Sequence, residues 1–412
     1  MNNVKLARSK LADPPVTPRQ ESAQAPILHQ AADDLHHWLL FRKRSGDLYI
    51  VGSLSLDRYL IVPAAKLEVT LRAVSYLDGT HDLAWIQKKL ASEYGRDVAL
   101  IDLFTKLRSA GLIKTANVPR RPYSEILRHS IPLFEASVSP IFKHLGFLQS
   151  LFSPLAIVAG LTLICLGLSH FSPSRIGAVS VARNLGSQTL DYAAFWLGLL
   201  LLAFIHECFH GFVALRYGLR PVRINGALYL GFIPYIFITI HGIYTVRPAK
   251  RVAIWSAGVY ANLLAGALLL LALPNVAPHG LLAATIAKLI WANLVIIGLN
   301  LSPFMATDAY FILSTLVRTP NIRTNAYLEF RKWLRRERHN FHTALAVYFV
   351  VSSAMIAWFL WRTLIWIANI LSGIHNHGFS TRVALDGWPL LLMIISALLQ
   401  VAWSHRTRRT TL

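Results

Sequence analysis

Long apolar runs alternate with polar and basic segments over the last two thirds of the chain. Several of these runs reach the roughly 20 residues that a helix needs to cross a bilayer. We therefore predict an α-helical polytopic membrane protein with about six spans and one re-entrant stretch. The predicted spans are Leu151–Phe171, Tyr192–Leu215, Val252–Leu273, Leu281–Pro303, Phe341–Trp361 and Trp388–Trp403.

The apolar stretch of residues 227–246 differs from the spans because glycine and proline interrupt it. Basic loops favour the cytoplasmic face, so a stretch that enters and returns keeps both of its basic flanks on that side. Irregular backbone at membrane depth has to be buried in protein or line a cavity. We predict that this stretch is re-entrant and that both chain termini are cytoplasmic. The flanking basic residues are Arg216, Arg220, Arg223, Arg247, Lys250 and Arg251.

The front third of the chain has the pattern of a small soluble domain. Residues 1–35 are polar and contain prolines, which is typical of a flexible tail. Over residues 36–117, short strands at 47–52 and 55–62 precede three helical periods of apolar residues. This order predicts an α+β, winged-helix-like domain. The predicted helix ends and caps are Gly79, Gly95, Gly111, Thr80 and Asp97.

The remaining boundaries follow from charge and proline content. Residues 118–150 are a basic, proline-containing connector, and an interfacial helix is predicted at 134–147. Residues 151–405 form the membrane domain, and residues 406–412 form a basic cytoplasmic tail.

The composition agrees with a membrane protein and argues against other classes. Hydrophobic residues make up 54% and charged residues 15% of the chain, which is too apolar for a soluble protein. Lys and Arg outnumber Asp and Glu 41 to 20, and we attribute this surplus to cytoplasmic loops rather than to nucleic-acid binding. The two cysteines, Cys165 and Cys208, lie in apolar helices, so no disulfide framework is expected.

The second predicted span carries the sequence His206-Glu207-Cys208-Phe209-His210. Helical positions i and i+4 share a face, so the two imidazoles project together with Glu207 beside them. This is the H-E-x-x-H pattern, in which two histidines bind zinc and the glutamate accepts a proton from water. A carboxylate near a bilayer interior costs roughly 2.5–3.5 kcal/mol on insertion scales, so it is rarely incidental.

A catalytic zinc needs three protein ligands, and Asp308 is the best candidate for the third. The second and fourth predicted spans run in the same direction, and His206, His210 and Asp308 lie near their cytoplasmic ends. Pro303 interrupts the helix shortly before Asp308 and frees backbone groups there. Taken alone, Asp308 is equally compatible with an ordinary carboxylate at the end of a span. Asn300, in apolar surroundings, is predicted to hydrogen-bond a substrate or a developing oxyanion.

Two motifs occur together in different spans: His206-Glu207-x-x-His210, and Asn300-x-x-Pro303 followed by Asp308. With residues 258–262 they resemble the site-2 protease family of intramembrane zinc metalloproteases, in its bacterial peptide-maturation branch. The resemblance implies a zinc metalloendopeptidase of the inner cell membrane with one zinc ion per chain. It implies zinc on His206, His210 and Asp308. It also implies Glu207 as the general base and Asn300 as a substrate contact.

The layout of the front domain is similar to that of another known module. The matching segments are Tyr49-Ile50-Val51, Leu77-Asp78-Gly79-Thr80 and residues 103–114. It resembles the PqqD-like peptide-recognition domain of ribosomal-peptide maturation proteins. This implies a leader peptide that adds a strand to the sheet edge and packs beside the third helix. A packing or regulatory domain without a ligand stays an alternative. DNA binding is less favoured, because the third helix carries two basic residues among acidic ones.

The function predicted from both resemblances is hydrolysis of a peptide or membrane-associated protein during maturation or export of a ribosomally made peptide. The alternative is a non-catalytic membrane receptor that binds a leader peptide and passes it to an exporter or a modifying enzyme. Ala309 favours the alternative, because the family has a glycine after the ligand aspartate, and glycine permits conformations that alanine resists. An intact Glu207 favours catalysis, because a scaffold needs no buried base.

Overall fold

The computed structural model describes residues 30–44, 46–114, 130–180, 188–229, 233–278, 280–305, 307–335 and 343–377. Most residues in these ranges are helical, and short strands lie in the front domain and beside the H-E-x-x-H helix. The fold class is therefore confirmed in outline, with fewer candidate spans than predicted. The predicted tail up to residue 29, the start of the connector and the basic tail lie outside the described residues.

The front domain combines a three-stranded antiparallel sheet, in the order β2–β3–β4, with three helices. The short strands β1 and β5 pair with each other beside it. Strand β2 was not predicted. In chain order the elements are β1 (Gln30–Ala31), β2 (Leu35–Phe41), β3 (Leu48–Ser53), β4 (Arg58–Pro63), α1 (Ala64–Tyr76), α2 (Leu83–Tyr94), α3 (Leu100–Ser109) and β5 (Ile113–Lys114).

The helix ends of the front domain follow local signals, although not all of the predicted ones. The Asp82 side chain caps α2 by accepting a hydrogen bond from the Trp85 backbone N–H at 2.7 Å. Gly95 ends the same helix with a φ of 61°, a left-handed conformation that glycine adopts without strain. The predicted caps Thr80 and Asp97 are wrong, because each bonds another side chain instead.

A second three-stranded antiparallel sheet lies beside the H-E-x-x-H helix, in the order β6–β7–β8. Its strands are β6 (Ser130–Ser137), β7 (Arg220–Tyr229) and β8 (Ile233–His241). The β-branched and aromatic residues of β8 favour a strand over a helix. The stretch 227–246 therefore forms most of a β-hairpin and not a spanning helix, and its depth in a membrane stays a prediction.

The interfacial helix predicted at 134–147 is wrong in its first part, because the chain up to Ser137 pairs with β7. Phe134 lies opposite Gly226, and a Cβ at position 226 would lie 2.1 Å from the aromatic ring. The missing side chain of Gly226 thus makes room for Phe134. Helix α4 (Ser139–His144) and a short 3-10 helix (Gly146–Phe152) follow the strand.

Four helices in the described C-terminal ranges are long and apolar enough to cross a membrane, at Leu190–Arg216, Pro248–Asn275, Leu281–Asn300 and Thr343–Asn369. They confirm the predicted second, third, fourth and fifth spans as long apolar helices. The helices of this part are α5 (Pro154–Ser169), α6 (Pro173–Ser180), α7 (Gln188–Arg216), α8 (Pro248–Ala272), α9 (Leu281–Asn300), α10 (Asp308–Leu316), α11 (Ile322–Leu334) and α12 (Thr343–His377).

The predicted first span, Leu151–Phe171, is not one straight helix. The 3-10 helix and α5 meet at an angle of 68° and make a fifth span only if the two are taken together. The break arises because Pro154 starts a new helix that the Ser153 side chain caps. The predicted sixth span, Trp388–Trp403, lies outside the described residues.

The front domain contacts the C-terminal helical part through strand β2 and through the turn between β3 and β4. The Leu40 carbonyl of β2 accepts a hydrogen bond from the Arg251 guanidinium at 2.6 Å. The Asp57 carboxylate accepts one from the Gly242 backbone N–H at 3.1 Å. One edge of this sheet is thereby covered, whereas β4 forms the opposite edge.

Candidate metal centre

Three of the predicted site residues, His206, His210 and Asp308, form one tight group. The two Nε2 atoms of the histidines are 3.3 Å apart. The Asp308 carboxylate reaches both, with Oδ2 3.3 Å from His206 Nε2 and Oδ1 3.3 Å from His210 Nε2. All three side chains are buried, and a group with this spacing can hold a metal ion.

The two histidines face the same way because they are one turn apart on α7. His210 has a further contact, since its Nδ1 lies 2.7 Å from the Ile254 carbonyl oxygen of α8. A proton on Nδ1 can donate to that carbonyl, so Nε2 is the ring nitrogen on the side of Asp308. A backbone carbonyl that orients the imidazole in this way is typical of metal-binding histidines.

Gly258 of α8 lies directly against the histidines. A Cβ built at this position would lie 2.3 Å from His206 Nε2 and 2.5 Å from His210 Nε2. Contacts this short do not occur between real atoms, so any side chain at 258 would push the imidazoles aside. The backbone of α8 thus closes one side of the group.

Asp308 is the first residue of α10, and hydrogen bonds hold the turn that precedes it. The Thr307 hydroxyl donates to the Ser302 carbonyl at 2.9 Å. The Tyr348 hydroxyl of α12 donates to the Pro303 carbonyl at 2.7 Å. The position of the carboxylate therefore depends on α12 as well as on the end of α9.

The charge of Asp308 is favoured by its neighbours. Burial raises the pKa of this carboxyl, but the attraction of His210 and His206 outweighs burial and lowers the pKa to about 2. The side chain is therefore an ionised carboxylate at neutral pH, which is the form that binds a cation.

Ala309 does not strain the turn that presents Asp308. It is the second residue of α10, and a helical backbone suits alanine. Among the described residues, the non-glycine positions with positive φ are Asp57, Arg318 and Asn321. The backbone at position 309 therefore does not require the glycine of the site-2 protease pattern.

Glu207 lies next to the group but points towards a strand. Its Oε1 is 3.9 Å from His206 Nε2. Its Oε2 accepts a hydrogen bond from the Ile238 backbone N–H of β8 at 2.8 Å. Because β8 is the last strand of its sheet, the outer edge of this strand faces Glu207. The carboxylate thus lies between the imidazoles and a strand edge.

Asn300 is the one predicted site residue that the structure does not bring into contact with the others. It is the half-buried last residue of α9. Its side chain makes no hydrogen bond with any residue of the described ranges, so its predicted role as a substrate contact stays a prediction.

Three groups that belong to the site were not predicted from the sequence. They are the Ile254 carbonyl, the Ile238 N–H and the bare backbone of Gly258. The first two belong to the backbone, so no residue type marks them. The glycine belongs to residues 258–262, which carry part of the family resemblance, and small residues in spanning helices often mark close contacts.

Comparison of the chain with protein-family models, with curated proteins and with solved structures gave no match. The function of this site therefore has to be inferred from the chain's own residues. Within the described ranges, they form a buried group of two imidazoles and a carboxylate that can hold a metal ion, with a second carboxylate beside it.

Proposed function

We propose that the chain is a membrane-embedded zinc metallopeptidase. The main observation is the spacing of His206, His210 and Asp308. The two Nε2 atoms are 3.3 Å apart, and each of them lies 3.3 Å from one of the two carboxylate oxygens of Asp308. A tetrahedral zinc with bonds of about 2.0–2.1 Å keeps its ligand atoms about 3.3–3.4 Å apart. Two imidazoles and one carboxylate are also a donor set that catalytic zinc uses.

Glu207 is the proposed general base. A bound zinc would polarise the scissile carbonyl and acidify the attacking water. Glu207 accepts the proton of that water and later gives it to the leaving amine. Its hydrogen bond from Ile238 holds one carboxylate oxygen, which leaves the other directed to the side of His206.

The edge of β8 is the proposed binding site for an extended substrate. A spanning helix hides its peptide carbonyls, so a helical substrate has to unwind before hydrolysis. An unwound segment that pairs with a strand edge recovers its backbone hydrogen bonds. The Ile238 N–H donates to Glu207, so a peptide that paired with β8 at this point would take over this donor and would lie next to the base.

The front domain is proposed to capture a leader peptide at the open edge of β4. A groove of about 380 Å³ lies between β4, α1 and α3, with Ile61, Val69 and Leu103 among its apolar walls. The opposite edge of the sheet is covered by the contact of Leu40 with Arg251. Strand addition at β4 beside α3 is the mode implied by the PqqD-like resemblance.

The biological setting proposed is maturation or export of a ribosomally made peptide at the inner cell membrane. Four long apolar helices support a membrane location. The orientation with both termini in the cytoplasm rests on the positions of basic loops. It would place the leader-capturing groove and the metal site on the side where the peptide is synthesised. The peptide or membrane-associated substrate and an exporter are the partners proposed.

The test replaces Glu207 by Gln in the full chain, reconstituted in liposomes. Cleavage is followed by mass spectrometry on a peptide library, and bound zinc is counted by elemental analysis. We expect about one zinc per chain in both proteins and a rate about 10²–10⁴-fold lower in the variant. Glu68→Gln, an exposed position in the front domain, is the control and should cleave normally.

Two results would refute the hydrolase. One is undiminished cleavage by Glu207→Gln. The other is a zinc-loaded wild-type protein that binds peptides at the β4 groove and cleaves none of them, which would support the receptor alternative.

A further inference from the structure

Arg251 is buried at the junction of the front domain and the membrane part. Only 1% of its surface is exposed, although it lies in the first turns of α8, where the sequence predicted a basic flank in a loop. Its guanidinium donates to the Leu40 carbonyl and lies 4.7 Å from the centre of the Phe41 ring. These contacts satisfy part of the group, and neither of them is with a carboxylate.

Within the described ranges, no carboxylate lies within 4.0 Å of Arg251, whereas other basic side chains do have such partners. Its Nε atom is buried and makes no hydrogen bond with a described residue. A buried charge is costly unless it is paired and hydrogen-bonded. The guanidinium therefore has an unused donor and an uncompensated positive charge in the same place.

A cavity of about 90 Å³ adjoins this guanidinium. Roughly 10–15 Å³ is enough for one water molecule, so the cavity admits a group of several atoms. Its walls are apolar in part, with Phe41 and Ile50 on the front-domain side and Trp255 and Phe311 on the membrane side, and the other lining residues include Ser314, Thr315 and Asn321. Such walls suit the apolar part of a ligand whose charged part meets Arg251.

We propose that this cavity binds a carboxylate that carries a short apolar group. A planar guanidinium can form two parallel hydrogen bonds with a carboxylate, and Arg251 is the basic residue that lines this cavity. The apolar walls accept the carbon atoms attached to the carboxylate. In a peptide, this chemistry is found at the C-terminus and in the side chains of Asp and Glu.

The cavity is close to the metal centre along α8. Arg251, Trp255 and Gly258 follow at intervals of four and three residues and so share one face of this helix. Trp255 lines the cavity and has its ring centre 6.4 Å from that of His210. The inference that the carboxylate belongs to a peptide rests on the proposed function. The inference that the cavity binds a carboxylate does not depend on it.

The first experiment measures thermal unfolding of the purified full chain with acetate and with acetamide at equal ionic strength. Acetate and acetamide have nearly the same shape and differ in charge. A ligand that binds the folded state raises Tm in proportion to its occupancy. We expect a saturable rise of a few degrees with acetate and no saturable rise with acetamide.

The variants are Arg251→Gln, Arg251→Lys and Arg247→Gln. The acetate response should be lost in Arg251→Gln and kept in Arg247→Gln, because Arg247 is exposed at the start of the same helix. Arg251→Lys keeps the charge without the planar fork, so half-saturation should need at least about fivefold more acetate. This conservative variant serves if Arg251→Gln does not fold.

Three small probes distinguish the two peptide sources. N-acetyl-leucine carries a terminal carboxylate, N-acetyl-glutamic acid α-amide carries a side-chain carboxylate, and N-acetyl-leucinamide carries none. Tighter binding of one of the first two identifies the source, and equal responses to all three overturn the proposal. An acetate response that is the same in wild type and Arg251→Gln also overturns it. No turnover is measured, so these results do not bear on the hydrolase.

Discussion

Helix α7 carries two polar sites in an otherwise apolar part of the molecule. Near its start, the Asp191 carboxylate pairs with the Lys288 ammonium of α9. Near its end, two imidazoles and two carboxylates meet at His206, Glu207, His210 and Asp308. The first site combines one anion with one cation. The second gathers two carboxylates around two imidazoles, and no Lys or Arg of the described ranges forms an ion pair there.

The two sites differ in whether a basic side chain balances the charge of the carboxylate. The Asp191–Lys288 pair is neutral as a unit and needs nothing further to balance its charge. The metal group brings two carboxylates together without a Lys or Arg partner in the described ranges, and its three ligand atoms are spaced so that they can share one cation. Buried carboxylates that lie close together repel each other when both are ionised, so a bound cation stabilises this site. The presence or absence of a basic partner thus separates a structural pair from a candidate metal centre on the same helix.

The largest effect is expected from removing a ligand of the metal group. His210→Ala deletes one of three ligands and the contact with the Ile254 carbonyl, so zinc affinity should fall more than about 100-fold. Competition with a fluorescent chelator measures the change. His144→Ala removes an exposed histidine of α4 and should keep the zinc, so equal loss in both variants would contradict the assignment.

A smaller effect is expected from filling the space at Gly258. The Cβ of Gly258→Ala would collide with both imidazoles, so the zinc affinity should fall by about 10–100-fold. The matched control is Gly298→Ala in α9, where a Cβ would meet nothing within 4 Å. If the zinc affinity falls by the same factor in Gly258→Ala and Gly298→Ala, the backbone of α8 does not form a wall of the site.

The smallest effect on metal binding is expected at the ion pair. Lys288→Met leaves Asp191 buried without its partner, which should lower the free energy of unfolding by about 1–3 kcal/mol. The expected loss in free energy of unfolding is smaller than for a fully buried pair, because 29% of the Lys288 side chain is exposed. Denaturation in detergent measures the change, and zinc content should stay at the wild-type value.

The double variant Asp191→Leu/Lys288→Met sharpens that prediction. Replacing both charges by apolar side chains removes the unpaired carboxylate, so stability should recover to within about 1 kcal/mol of wild type. Loss of zinc in either variant would mean that the two sites of α7 are not independent.

The parts of the fold predicted from sequence are those with a local signal. The apolar runs around His206 and Asn262 predicted two of the long helices. The i, i+4 spacing predicted that the two histidines share a helix face. Asp308 was predicted from the requirement for a third ligand together with the direction of the spans. The structure brings it to 3.3 Å from both imidazoles.

The parts that were missed depend on long-range contacts. The strand Ser130–Ser137 forms because it pairs with β7, far along the chain, and its own pattern favoured an interfacial helix. Arg251 was predicted as a loop charge from its type, whereas its burial depends on the docking of Leu40 and Phe41. Asp191 and Lys288 lie on different helices, so neither residue alone indicates the pair.

The most direct test of the central claim is zinc X-ray absorption spectroscopy on the purified full chain. We expect about one zinc per chain, with nitrogen and oxygen neighbours at about 2.0–2.1 Å, two of them from imidazoles, and no sulfur neighbour. A chain that binds no zinc would contradict the claim. So would a sulfur neighbour at about 2.3 Å, which would point to Cys208 and away from Asp308.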